Sequence, residues 1–377
     1  MEVGGAIAIT LAIVFLGVPI LALAKVLASH QAAMFLSASQ LKQVRGLHIL
    51  VTGGSKGIGK SLALLLARNG ANVTIAARPS SDLYATVQLL QECKTAESTV
   101  RVMEGDLRQD RETRERVFAL CSQAGKFDWI ICGAGVALPG FLADQLSHDE
   151  NEFETQMDSN YFTALNTVRA AFSFAKHVAV SSRSNNSYDD VTTTDSQTAL
   201  APTTSGFTKQ EAARLPSKIV FIGSPLCFLS FLGYGGYAST RFALRGLADS
   251  LRSELLPLGI AVQIFSPGNT DTPGYVVENL TKPEMTKKID GASALAQPDD
   301  VAKAFLAQLL KGRYLSTNDL ITELLRVVNN GSGPRPNPFS ESLCSGLLTF
   351  IFVFYFYFTD LDTIAHFKKQ GGNFKIA

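Results

Sequence analysis

Between Leu50 and Lys60 the chain reads Leu-Val-Thr-Gly-Gly-Ser-Lys-Gly-Ile-Gly-Lys: an apolar strand breaks into spaced glycines that open a helix. Gly53, Gly57 and Gly59 stand where a side chain would block a tight turn, the approach of backbone to a pyrophosphate, or the packing of helix on strand. The exposed N–H groups of the next helix then face the phosphates, and Ser55, Lys56 and Ile58 of the loop are expected against the cofactor. A glycine cluster alone is also ordinary loop punctuation. Its setting is more specific, because Leu47 to Val51 reads as a strand, Ser61 to Arg68 as an apolar helix and Asn72 to Ala77 as a second strand, completing one βαβ unit.

Arg78 follows that second strand, where an enzyme of the unphosphorylated cofactor usually carries an acid for the ribose 2′-hydroxyl. With Arg78 there and Lys56 inside the loop, two cations converge on a 2′-phosphate, so NADPH is the expected cofactor; the plainer reading is two solvated surface charges. Asp106 and Leu107, ending a third strand, are expected beside the adenine, and Gly133, in Cys132-Gly-Ala-Gly, lets a fourth strand end close to the cofactor.

Ser224 closes a strand over Lys218 to Gly223, and thirteen residues later Tyr237 opens a helix with Arg241 one turn further on. Asn160 lies on an earlier helix, in Asp-Ser-Asn-Tyr-Phe. Singly these residues read as a helix cap, a half-buried aromatic and a satisfied core amide. Behind a cofactor loop they resemble the Asn-Ser-Tyr-Lys tetrad of the short-chain dehydrogenase/reductase family, over about Leu47 to Leu310. The resemblance implies a doubly wound parallel α/β sheet of Rossmann type, with Asn160, Ser224, Tyr237 and Arg241 catalytic and with Tyr237, Arg241, Pro267, Gly268 and Thr270 also against the cofactor. Two positions depart from the pattern. Arg241 replaces the lysine, keeping the cation but not a group able to ionise at working pH, and Cys132 replaces the asparagine of Asn-x-Ala-Gly.

The segments Thr270-Asp-Thr-Pro-Gly and Glu278-Asn-Leu-Thr-Lys-Pro resemble those of the family's reductases of a long-chain keto sphingoid base, which work with NADPH at the cytosolic face of the endoplasmic reticulum. Tyr275, Val276 and Val277 then read as the start of an apolar lid for an alkyl chain, or as an amphipathic surface helix. Two alternatives stay open: another lipid or steroid ketone reductase of this family, and a homologue that binds cofactor without turnover.

At 377 residues the chain has room for additions to one reductase domain, expected over residues 46–320. Val3 to Ala24 is uncharged and exceeds the roughly 20 residues that cross a bilayer, so residues 1–25 are read as a membrane anchor in preference to a signal peptide. Lys25, Lys42 and Arg45 follow it, which places the domain in the cytosol. Residues 341–377 form a second hydrophobic segment with a polar tail. Its run from Leu343 to Phe358 would cover about 24 Å as helix, short for a span, leaving a short span, a re-entrant segment or an interfacial helix. Residues 181–217 are polar and read as a disordered insertion, with a sequon at Asn185. Five scattered cysteines without metal-ligand spacing argue against a disulfide framework or metal site. The net charge of +1 offers no nucleic-acid footprint.

Overall fold

The computed structural model describes residues 17–147, 151–185, 207–291, 294–331 and 333–369. A helix α1 (Val18–Met34) precedes the alternating elements β1 (His48–Thr52), α2 (Gly57–Arg68), β2 (Asn72–Ala77), α3 (Ser81–Cys93), β3 (Val100–Glu104), α4 (Asp110–Ala124) and β4 (Trp129–Cys132). A long interrupted helix α5 follows, made of Glu152–Met157, a π turn over Asp158–Phe162, and Thr163–Asn185. Then come β5 (Lys218–Ile222), α6 (Gly235–Leu255), β6 (Ala261–Phe265), α7 (Pro273–Thr281), α8 (Glu284–Asp290), α9 (Pro298–Leu310), β7 (Leu315–Ser316), α10 (Leu320–Asn329) and α11 (Pro338–Lys369).

The strands form one parallel sheet in the order β3-β2-β1-β4-β5-β6-β7. All five residues of β1 are buried, and alternate ones serve opposite faces: Leu50 joins the core under α4, α5 and α6, while Ile49 and Val51 join the core under α2, α3 and α9. Covered on both sides, such a strand reads as a continuous apolar run. Each fully buried aliphatic side chain contributes about 1.5–3 kcal/mol. Parallel strands need a crossover, and strands returning on both sides of β1 leave a crevice beyond the carboxyl ends of β1 and β4.

The helices at the two ends of the chain run further than the hydrophobic segments read from the sequence. Most of Val3–Ala24 lies outside the described residues, but the part inside them begins a helix that runs to Met34 and docks on the domain. Ala22 and Val26 bury against Val327, Cys344 and Leu348. Lys311 Nζ donates to the carbonyls of Ala32, Ala33 and Phe35 at 2.8, 3.0 and 2.9 Å, and Arg313 to that of Ser29 at 2.9 Å. Cations there satisfy the orphan carbonyls of a helix C-terminus. The C-terminal helix is twice the expected length: α11 has 32 residues, about 48 Å. It is tied to α10 by buried Arg326, whose Nε lies 2.8 Å from Glu323 and whose Nη2 lies 3.0 Å from Glu341.

Of the polar insertion, residues 186–206, with most of the sequon, lie outside the described residues, and its far end packs on the core. Phe207 and Leu215 are buried, and Lys126 Nζ donates to the carbonyls of Ala213 and Leu215 at 2.9 and 3.0 Å. Two apolar side chains in a polar stretch were enough to seat it on the core.

Candidate active site

A cleft of about 720 Å³ opens at the switch point between β1 and β4. At its floor the glycines do what their spacing implied. Gly53 has φ +70°, and a Cβ on it would lie 2.8 Å from backbone atoms of Gly133 and Ala134; one on Gly59 would collide with the Gly53 carbonyl. Gly57, at φ +53°, lies under Thr272. Thr52 braces the end of β4, its hydroxyl accepting from the N–H of Gly133 at 3.0 Å and of Ala134 at 3.3 Å. Cys132 faces the core, where burial pushes its thiol up to about 12.

Every sequence-derived cofactor residue lines this one cleft: Gly53, Ser55, Lys56, Gly57, Ile58, Gly59, Arg78, Asp106, Leu107, Gly133, Tyr237, Arg241, Pro267, Gly268 and Thr270. Their partners refine the reading. Lys56 is paired with Asp82 at 2.6 Å, while exposed Arg78 has no ion pair among the described residues. Asp106 and Leu107 lie past the end of β3, in a turn where Arg108 grips the Asp106 carboxylate through Nε at 3.0 and 2.9 Å. The Arg108 hydrogen bond holds the Asp106 carboxyl below the usual range. Thr270 donates its hydroxyl to the Gly268 carbonyl at 2.9 Å, fixing the turn after β6.

At the other end Ser224, two residues past β5, accepts from Leu226 N–H at 3.3 Å, which caps a short 3₁₀ turn and presents its hydroxyl to the cleft. Tyr237 stands in the first turn of α6. Burial is the largest influence on its phenol and pushes it up; Arg241 pulls it down, Glu278 pushes it up, and bonds with Arg241 and Ser224 pull it down. The Arg241 guanidinium lies 4.7 Å from the Tyr237 ring centroid, donates to the Ile222 carbonyl at 3.2 Å, and reaches Asn160 Oδ1 at 3.4 Å. Asn160 is not on the cleft wall. It sits behind Arg241 in the π turn of α5, where the wound-out backbone aims its amide at β4's loop: Oδ1 accepts from Val136 N–H at 2.8 Å and Nδ2 donates to the Val136 carbonyl at 2.9 Å and to Thr240 at 3.1 Å. A π turn of this kind is frequent at functional sites.

The lid differs in its facing. Helical period turns Tyr275 and Glu278 of α7 into the cleft and leaves Val276, Val277 and Leu280 exposed, so the two valines are not its inner surface. Sequence reasoning missed what holds the lid. Tyr234 donates a short hydrogen bond to Glu278, and Lys282, with its side chain 1% exposed, reaches Glu278 at 3.1 Å and Asp290 at 2.5 Å. A glutamate and a lysine four apart were legible as a helix pair; their burial was not.

The profile of short chain dehydrogenases matches residues 47–184 and 174–282. The chain belongs to the short chain dehydrogenase family. It is 31% identical over 301 residues to a 3-ketodihydrosphingosine reductase of Cryptococcus neoformans, covering 79% of this chain and 78% of the relative. To the 3-ketodihydrosphingosine reductase of Dictyostelium discoideum it is 30% identical over 341 residues, covering 87% and 91%. Among solved structures, L-sorbose reductase from Gluconobacter frateurii, complexed with NADPH and L-sorbose, shares the fold with TM-score 0.55 at 18% identity, covering 73% of this chain and 96% of that one. The family's nicotinamide cofactor fits the residues present. The glycine loop leaves a cradle that side chains would fill, and Arg241 Nε is a buried donor on the cleft wall with no partner among the described residues.

Proposed function

We propose that this protein is an NADPH-dependent reductase of 3-ketodihydrosphingosine, acting from the membrane of the endoplasmic reticulum with its catalytic domain in the cytosol. The observation that carries the reading is the convergence of Tyr237, Ser224 and Arg241 on one cleft in a chain about 30% identical to reductases of that name over most of their length. The cofactor, when bound, supplies hydride to the ketone carbon. Gly53, Gly57, Gly59 and the first turn of α2 would hold its phosphates, Arg78 would meet the 2′-phosphate, and Arg241 Nε would serve the ribose.

Tyr237 is the proton donor. Burial keeps its phenol neutral through the physiological range, as an acid must be, and Arg241 stabilises the phenolate left behind. Ser224 donates to the ketone oxygen as charge develops there. Asn160 acts through its clasp on Val136 and Arg241, a positioning role. Among the described residues one helix, α11, is long and apolar enough to cross a membrane, and α1 with the short helix after it forms a bent second candidate. Phe350, Ile351, Val353, Phe354, Tyr357 and Phe358 of α11 are exposed. Both ends of α11 are held to the same domain: Glu341 pairs with Arg326, Asp362 with Lys288 at 2.8 Å, and the Phe367 ring lies 5.8 Å from Phe141. A helix tied so lies along the bilayer surface, which favours the interfacial choice among the three that the sequence left open.

The test is NADPH oxidation by the membrane fraction with 3-ketodihydrosphingosine. Tyr237→Phe should lower turnover by about 10²- to 10⁴-fold while NADPH binding, read by its fluorescence, persists; equal turnover rules the phenol out. The donor is present below its pKa and lost above it. Because burial raises that pKa beyond the ordinary tyrosine value of about 10, kcat/KM for reduction should show no loss from this group between about pH 7 and 9, and a falling limb in that window contradicts the assignment.

A further inference from the structure

The lid end of the cleft holds one carboxylate that proton transfer does not use. Both internal contacts of Glu278, from the Tyr234 hydroxyl and from Lys282 Nζ, fall on Oε1. Among the described residues Oε2 has no hydrogen-bond partner, and the side chain, 18% exposed, stands on the cleft wall. Among the described residues Glu278 and Asp290 share Lys282 as their ion-pair partner, and Arg241 pairs with neither, holding the Tyr237 ring, Ile222 and Asn160 instead. The free Oε2 of Glu278 stands at the edge of a space lined by the Tyr234 and Tyr275 rings.

That space already holds an ammonium. Lys282 Nζ lies 5.6 Å from the Tyr234 ring centroid and 5.0 Å from that of Tyr275, within cation–π range, besides its two carboxylates. The Tyr234 ring is 5.9 Å from the Tyr237 ring, so Glu278 is one side chain removed from the proton donor. In the substrate of the reductase reading, the carbon next to the ketone carries a protonated amine. With the ketone oxygen held by Tyr237 and Ser224, that ammonium stands beside the reacting carbon and on the scale of one side chain from the lid.

We propose that Glu278, oriented by Tyr234, binds the substrate's ammonium through Oε2 and makes this enzyme select an α-amino ketone over a simple long-chain ketone. The proposal rests on the reductase reading. Loss of one charge-assisted hydrogen bond corresponds to about a ten- to hundredfold effect.

The experiment compares 3-ketodihydrosphingosine with its deaminated analogue, the β-hydroxy ketone of equal chain length, on the full-length enzyme in membranes. The parent should favour the amino ketone in kcat/KM by about ten- to a hundredfold, and Glu278→Gln should bring the ratio near unity. A parent with no preference overturns the proposal, as does a variant that loses both substrates alike, which marks a structural role. Tyr234→Phe, which keeps the charge, should reduce the preference only in part. Binding of sphinganine against the deaminated diol reads the same preference without turnover, and needs only that the protein still bind NADPH. If neither ketone is reduced, the reductase reading fails, and the binding ratio in parent and variant still decides the role of Glu278: a parent preference for the amine that Glu278→Gln abolishes upholds it, and equal binding overturns it.

Discussion

At the glycine-loop end of the cleft Lys56 meets Asp82 at 2.6 Å with both side chains about half exposed; at the lid end Lys282 meets Asp290 at 2.5 Å with the lysine 1% exposed. The two pairs are nearly equal in chemistry and separation, and opposite in consequence. In high dielectric the first gains little and exchanges partners readily, so Lys56 remains available to an arriving phosphate. The second is locked. Burial works to lower the Lys282 ammonium, but Asp290 and Glu278 together hold it above the ordinary lysine range, and the lid takes its shape around it. At one end the lysine is half exposed and exchangeable; at the other it is built into the wall.

Removing Lys282 breaks that comparison hardest. Lys282→Met leaves two carboxylates in a poorly solvated pocket and should destabilise the protein by about 3–5 kcal/mol, seen as a lower Tm of the detergent-solubilised enzyme; a change under about 1 kcal/mol would make the buried pair equivalent to a surface one. Next is Arg78, an exposed cleft cation without an ion pair among the described residues. Arg78→Asp should shift cofactor preference toward NADH by about ten- to a hundredfold, as loss of a charge-assisted contact of about 1.5–3 kcal/mol, measured as the ratio of NADPH to NADH dissociation constants. An unchanged ratio transfers the phosphate role to Lys56. The smallest effect belongs to Lys56→Ala: stability should change by about 0–1 kcal/mol, and any loss of NADPH affinity should shrink at high salt, because an exposed charge is screened.

Much of the adenosine end was legible because its determinants are local. A strand, a turn that only glycine tolerates and a helix N-terminus lie within a dozen residues, and the spacing of Ser224 and Tyr237 follows from one strand running into one helix. The boundaries moved slightly: β3 ends at Glu104, leaving Asp106 in the following turn, and α2 starts at Gly57 instead of Ser61. Asn160 was found by its motif, yet its work was not readable, since the partner is the Val136 backbone, 24 positions away on another element. The lid's inner face was misread because an apolar trio was followed along the chain, where helix period puts Tyr275 and Glu278 on one side and the valines on the other.

The sequence by itself determined the parallel sheet and the glycine turn, and it singled out Ser224, Tyr237 and Arg241, which the fold brings to one cleft, because backbone sterics, strand burial on both faces and short-range spacing act within single supersecondary units. Only the tertiary structure decided that α1 docks through Lys311, nearly 280 positions downstream, that α11 is held at both ends, and that Lys282 is buried between two carboxylates. Burial and pairing of this kind depend on which distant elements meet. A lysine in water and a lysine in a wall are the same letter, and the dielectric that separates them exists only once the chain has folded.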